Sequence, residues 1–281
     1  MTRLNASPTA AAGSAIDVSE LAAIEAALAT LAEPAPPHLG HASLVAVGLA
    51  DDYAEIATPL GPLRVAWNGR GVSAVDGSAD DHAFERAFFA RTGRHAERVD
   101  ALPARLAQAV ARRLGGDRRI RIALDLRGST EFEQAVWLKA LEIPRGEVRP
   151  YSWIAAEIGR PKAVRAVGTA LGHNPIPLIV PCHRVVRTDG HIGQYSLGGP
   201  GNKRTILAAE GADPEGLEGL ARAGIRYVGS DTTHIFCLPT CHDARRVTPA
   251  HEVRFHSSRA AFDAGYRPCK HCRPIAAAGA A

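Results

Sequence analysis

Small apolar residues recur at helical spacing in "DVSELAAIEAALATLAE" (17–33), predicting a short, loosely docked amphipathic helix that Asp17 caps. The chain before it, 1–16, is small and polar and is expected to be disordered, and "PAPPHLGH" after it reads as a linker. From residue 53 the period shortens. "YAEIATPLGPLRVAWNGRGVSAVD" (53–76) predicts strands joined by tight turns, with Asn68-Gly69 as the hairpin signal between "LRVAW" and "VSAV". Helices are predicted over 80–92 and 103–114, and "RRIRIALDL" (118–126) alternates like a further strand.

The helical period returns at 129–142, "STEFEQAVWLKALE", where Thr130 and Glu133 stand at capping-box spacing and Pro144 is a stop. "SWIAAEIG" and "PKAVRAVGTALG" then predict two short helices around Gly159-Arg160-Pro161, a helix-turn-helix pattern whose second helix carries Lys162 and Arg165 toward DNA; an ordinary helical hairpin is the commoner outcome of such a pattern alone. A last helix is predicted from about Asn202 to Glu210, ended by Gly211.

The 281 residues allow two or three domains, and a charged fraction of 22% is ordinary for a globular chain. No apolar run approaches the ~20 residues of a membrane helix. No signal-type stretch opens the chain, so a cytoplasmic protein with reduced cysteines and no membrane partner is expected. Charge changes the picture more. Residues 143–210 and 221–281 each hold nine Lys/Arg against four Asp/Glu, leaving the remainder at −6 within a net +4. Two basic modules suggest an anionic partner, nucleic acid first, although basic surfaces without a ligand are common.

The five cysteines divide unequally. Cys182 stands alone in "IVPCHRVV", beside His183. A thiol near its free pKa is mostly protonated at neutral pH and needs a base to become a nucleophile. Neighbours on a strand face opposite ways, so the pair alone is weak evidence against a buried, inert cysteine. The other four come as Cys237-x3-Cys241 and Cys269-x2-Cys272, a strong tetrahedral zinc signal in a reduced compartment. Fifty residues bury little apolar surface, so the metal is expected to supply folding energy.

Residues 145–211 closely resemble the catalytic half of the alkylguanine-DNA alkyltransferases, the methylated-DNA–protein-cysteine methyltransferases: "PCHRV", "RAVG", the "NP" turn, "YS" and the terminal "EG" stand in that family's order and spacing. A weaker resemblance covers about 50–125, where the family has a small ribonuclease-H-like α/β domain. The resemblance implies an α/β plus α architecture: a tail over 1–45, a ribonuclease-H-like domain over 46–126, and a helix-turn-helix, winged-helix-like catalytic and DNA-binding domain over 127–212. It implies a protein that flips an alkylated guanine from duplex DNA through the minor groove; a monomer is expected, although the sequence does not fix the oligomeric state. Cys182 then attacks the alkyl carbon, irreversibly and once. His183 takes the thiol proton through a water, and Glu210 orients His183. Tyr151 protonates the leaving guanine, and Asn174 braces the segment ahead of the nucleophile. Arg165 fills the gap in the stack, Tyr195 and Ser196 wall the base pocket, and Arg184 and Lys162 are counted with the DNA contacts.

Residues 220–276 resemble the zinc-binding methyl-acceptor domain of Ada, a small zinc-stabilised α+β domain. There the first cysteine of the first pair is both a metal ligand and the acceptor of a methyl from a DNA phosphotriester, and Cys237 holds that position. Arg245, Arg246, Arg267, Lys270 and Arg273 are candidates for the flanking phosphates, and His242, His251, His256 and His271 read as surface residues. The chain departs from the pattern at Leu238, where arginine is usual, and at His234, where glycine is usual. The domain also follows the alkyltransferase rather than preceding it, and no activator-type helix-turn-helix lies between. A structural DNA-binding module, or a methylation-responsive regulator without transfer, stays open for this segment. A sensor without repair is disfavoured by Cys182 itself, and a thiol hydrolase leaves both basic modules unexplained.

Overall fold

The computed structural model describes residues 18–30 and 37–275. The predictions made for 1–17 and 31–36, Asp17 among them, lie outside the described residues. Two compact units divide the chain, Met1–Ala42 and Ser43–Ala281. In the first, helix α1 (Val18–Thr30) leaves Leu21, Ile24 and Leu28 exposed. A second helix, α2 (Pro37–Val47), occupies part of the expected linker. Proline tolerates the first turn of a helix, where its missing N–H has no partner to lose, so the Pro-rich stretch starts a helix instead of preventing one.

The second unit opens with β1 (Asp51–Thr58), β2 (Gly61–Asn68) and β3 (Gly71–Asp76), an antiparallel meander. Asn68 pairs with Gly71 across a two-residue loop, as the hairpin signal predicts. Gly69 has a second constraint: a Cβ there would sit 1.9 Å from the Ala46 carbonyl. Helix α3 (Asp81–Thr92), capped by Asp80, leads to β4 (Ala96–Arg98), which pairs parallel to β1, so the sheet order is β3-β2-β1-β4. Helix α4 (Ala104–Leu114) follows. Segment 118–126 is not a strand. It touches β3 only where Val72 N–H reaches the Ala123 carbonyl (2.9 Å) and Asp125 N–H the Val72 carbonyl (2.7 Å). Its in–out alternation of burial is real, but beyond that bridge Asp125 turns inward to Asn68 and Arg127, and the ladder stops.

Helix α5 (Glu131–Ala140) starts with the expected capping box, Thr130 Oγ1 accepting from Glu133 N and Glu133 accepting from Thr130 N. Two-residue strands β5 (Arg149–Pro150) and β6 (Val185–Val186) pair in parallel and bracket α6 (Tyr151–Glu157) and α7 (Val164–Gly172). Helix α8 (Gly199–Ala209) begins three residues before the predicted start, and α9 (Pro214–Arg222), which the sequence reading leaves out, leads on. The last segment forms β7 (Tyr227–Ser230), β8 (Ile235–Cys237), β9 (Glu252–Phe255), α10 (Ser258–Asp263) and β10 (Arg267–Pro268), a sheet of order β10-β8-β7-β9.

Within the second unit one apolar cluster joins the first sheet, the helices that follow and the last segment. Val65 and Trp67 of the first sheet, Trp137, Trp153 and Ile154 of the helices, and Leu238, Cys241 and Cys272 of the last segment belong to it together. The cysteine-rich segment therefore buries apolar surface against its neighbour as well as within itself. Leu238 shows how: it is buried in that cluster, a position where a free guanidinium would be costly. His234, the other departure, sits at φ 53°, the left-handed region that glycine adopts without strain, and its ring lies 5.1 Å from that of Tyr266.

Candidate active site and metal centre

Cys182 lies in a 3-10 turn, Cys182–Arg184, reached through a segment that Asn174 ties down. Asn174 Nδ2 donates to the Val180 carbonyl (3.0 Å) and toward Cys182 Sγ (3.2 Å), while its Oδ1 accepts from Ile176 N (3.0 Å). Leu178 within that segment is held at φ 71°, a strained conformation that the surrounding bonds enforce. Burial raises the pKa of the Cys182 thiol, with Asn174 and Lys203 opposing. Without further help this sulfur holds its proton.

His183 is buried, and its Nε2 lies 3.0 Å from Glu210 Oε1. Burial lowers its pKa, and Glu210 works the other way. Burial also disfavours the charge on Glu210, but hydrogen bonds from His183 and Arg184 outweigh it and hold that carboxyl down to about 2. A carboxylate accepting at Nε2 assigns the proton there and leaves Nδ1 as the basic nitrogen. Nδ1 is buried and has no hydrogen-bond partner among the described residues.

Arg184, expected at the DNA, is buried instead. It bonds Glu210 at 2.8 and 2.6 Å and the Ile143 carbonyl at 2.7 Å. With its donors spent this way it fixes Glu210 from the far side. Lys203 is missed by the sequence reading. It is fully buried, donates to the Val185 (2.6 Å) and Gln194 (3.2 Å) carbonyls, and burial lowers its pKa to about 8. A signal exists: Lys203, Ile206, Leu207 and Glu210 share one helical face, so the lysine lies on the apolar stripe of α8.

A cavity of about 240 Å³ opens onto Cys182, lined by Tyr151, Gly168, Leu171, Gln194, Tyr195 and Ser196. Burial raises the pKa of the Tyr151 hydroxyl, with Cys182 adding to it. The Tyr195 hydroxyl is buried without a partner among the described residues. Lys162 and Arg165 are exposed, at the start of α7 and just before it.

The four paired cysteines converge. Their sulfurs all lie within 4.8 Å of one another and are buried. A tetrahedron with about 2.3 Å metal–sulfur bonds has edges of about 3.8 Å, so the set fits zinc. Backbone N–H groups of Leu238 and His271 point at Cys272 Sγ (3.4 Å) and Cys269 Sγ (3.3 Å), the kind of donor that steadies a thiolate. His242, His251, His256 and His271 are exposed, as expected. A cleft of about 580 Å³ runs past Cys237 and is lined by Arg246, Arg267 and Lys270 among others. Arg245 and Arg273 do not line it. Arg245 donates to the Gly146 carbonyl, and Arg273 pairs with Glu157 (2.8 Å) and lies 5.6 Å from the Trp153 ring centre.

The family described as "6-O-methylguanine DNA methyltransferase, DNA binding domain" matches residues 131–212, and that described as "Metal binding domain of Ada" matches 221–274. A methylated-DNA–protein-cysteine methyltransferase of Mycobacterium tuberculosis is 40% identical over 159 residues, 56% of this chain and 91% of that protein. The regulatory protein Ada of Salmonella typhimurium is 39% identical over 140 residues, 49% of this chain and 39% of that protein. The crystal structure of Mycobacterium tuberculosis OGT in complex with DNA shares 35% identity, over 59% of this chain and 99% of that one, with a TM-score of 0.47. With its buried four-cysteine metal centre of the Ada type, the chain belongs to the methylated-DNA–protein-cysteine methyltransferase family.

Proposed function

We propose that this protein repairs duplex DNA by moving the methyl group of 6-O-methylguanine irreversibly to Cys182, and a methyl group from backbone phosphotriesters to Cys237. The observation that carries the first part is the buried His183–Glu210 pair behind a cavity sized for one base, with Cys182 in its wall.

The chemistry balances within these residues. His183 Nδ1 receives the thiol proton through a water. Cys182 Sγ forms a bond to the methyl carbon as the carbon–oxygen bond of the base breaks. The base keeps that electron pair, and Tyr151 supplies a proton to the leaving guanine. Glu210 stabilises the imidazolium that forms and stays charged, since Arg184 shares its carboxylate. Guanine departs, a thioether remains, and the cysteine is spent. An unpaired buried hydroxyl costs about 1–3 kcal/mol, so the Tyr195 hydroxyl favours an occupant that meets it, with Ser196 beside it. Lys162 and Arg165 on the exposed helix-turn-helix would take the phosphates and fill the vacated stack. The order β3-β2-β1-β4, with only β4 parallel to its neighbour, supports the ribonuclease-H-like reading of the first domain.

In the last segment Cys237, Cys241, Cys269 and Cys272 would hold zinc, which keeps sulfur deprotonated at neutral pH. Cys237 lines the basic cleft, so Arg246, Arg267 and Lys270 would seat the phosphates on either side of a neutral triester. A purely structural role is the second reading, favoured by the way Arg245, Arg273 and Leu238 face the catalytic half. Peptide mass mapping separates them. The zinc-loaded protein is treated with DNA carrying either 6-O-methylguanine or a methyl phosphotriester. Methyl on Cys182 from the first and on Cys237 from the second is the expected result. An unmodified Cys182 overturns base repair; an unmodified Cys237 leaves a structural module.

A further inference from the structure

The loop carrying the metal ligand Cys241 also binds the segment that leads into β5 and Tyr151. Thr240 Oγ1 accepts from Val148 N (2.8 Å) and donates to the Val148 carbonyl (3.3 Å). The His242 N–H donates to Glu147 Oε1 (3.2 Å), and the Arg245 guanidinium donates to the Gly146 carbonyl. Three consecutive residues, 146–148, are thus clamped from the metal module. Their other side meets the catalytic groups. Gly146 N–H reaches Glu210 Oε2 at 3.4 Å, and a Cβ on Gly146 would lie 2.8 Å from the Glu210 carbonyl oxygen. Arg149 and Pro150 then pair with Val185 and Val186, directly after the Cys182–Arg184 turn, and Tyr151 comes next.

We infer that Arg245 and Thr240 are positioning residues for methyl transfer at Cys182: they hold the segment 146–148, which leads into β5, against Glu210 and the Cys182–Arg184 turn, so base repair depends on the folded metal module. This rests on the base repair proposed above. Neither residue touches the reacting atoms. Each acts through a backbone that fixes where Glu210 meets His183, and a displacement of a fraction of an ångström there weakens the base.

Arg245→Ala, Arg245→Lys and Thr240→Val are compared in the zinc-loaded full chain. The substrate is a free 6-O-alkylguanine base, which has no phosphate and so separates positioning from DNA binding. Transfer by the unaltered protein is the control, and its failure would overturn base repair itself rather than the positioning. Arg245→Ala and Thr240→Val are expected to keep their zinc yet lose about tenfold in rate. The acid limb of the rate profile should move to lower pH. Glu210 raises the proton affinity of His183, and a loosened Glu210 raises it less, while Arg184 and Lys203, which face the same imidazole, continue to lower it. Arg245→Lys, which keeps a donor, should recover part of the rate. If Arg245→Ala releases zinc, Thr240→Val, which removes only a hydroxyl, decides. Rates equal to the unaltered protein overturn the inference, and so does a slower rate with an unmoved pH profile, which marks general destabilisation.

Discussion

Cys182 and Cys237 are both buried sulfurs, yet their surroundings solve the same problem by opposite means. Around Cys182 the sulfur has protein side chains to work with: an amide from Asn174, the Lys203 charge that opposes the rise in its pKa, and the neighbouring His183 held by Glu210. Burial there raises the thiol pKa, so the proton has to leave during the reaction. Around Cys237 three further sulfurs converge, a set that excludes the proton once a metal is held. The first arrangement suits a target that is itself buried, a base brought into a cavity. The second suits a backbone target that stays outside, in an open cleft edged with Arg246 and Arg267.

Several changes would break or sharpen this contrast. The largest effect is expected from Cys182→Ser: peptide mapping should find no methyl from the base lesion and undiminished methyl on Cys237 from the phosphotriester. Chelating the metal comes next. Because Cys241 and Cys272 share one apolar cluster with Trp153 and Trp137, the whole second unit should melt earlier in calorimetry, in place of a separate early transition for the metal module. Glu210→Gln should slow base transfer about 100-fold, read by single-turnover kinetics, with Cys237 unaffected. Glu210 also sets a pH window. Its folded pKa of about 2 lies below the ordinary carboxylate range. Its pairing therefore stabilises the protein above roughly pH 4 and is lost as pH falls toward 2, which urea melts across that range would follow. Gly146→Ala forces a side chain at φ 75° against the Glu210 carbonyl and should cost about 1–3 kcal/mol in the same melts. The smallest change is His234→Gly, which relieves the left-handed strain but loses the Tyr266 contact, and should stay within about 1 kcal/mol.

What could be read from the chain alone follows the range of the interaction. The capping box at Thr130, the hairpin at Asn68 and the convergence of four cysteines in two close pairs are local or near-local signals, and each shows in the structure. Arg184 failed as a DNA contact because its identity is compatible with either fate, and only the return of α8 twenty-six residues later brings Glu210 to it. Arg245 and Arg273 looked like phosphate ligands for the same reason; their partners, Gly146 and Glu157, come from a module that no spacing rule links to theirs. Leu238 reads as a lost arginine until the apolar cluster around it is seen. Segment 118–126 shows the limit of alternation, which reports two unlike faces and not a partner for the backbone.

Ala223–Arg226, the passage from α9 to β7, is itself bonded at both ends: Ile225 N–H returns to the Leu220 carbonyl at 2.9 Å, and Arg226 N–H reaches the Phe255 carbonyl at 2.9 Å. The passage is short and tied to an element on each side. With the bonds from Thr240, His242 and Arg245 to residues 146–148, it sets how far Cys237 stands from Cys182. On the function proposed above, a duplex seated on the exposed helix-turn-helix would present one particular stretch of its sugar–phosphate contour to the basic cleft, as to a gauge block and not to two hooks on a string.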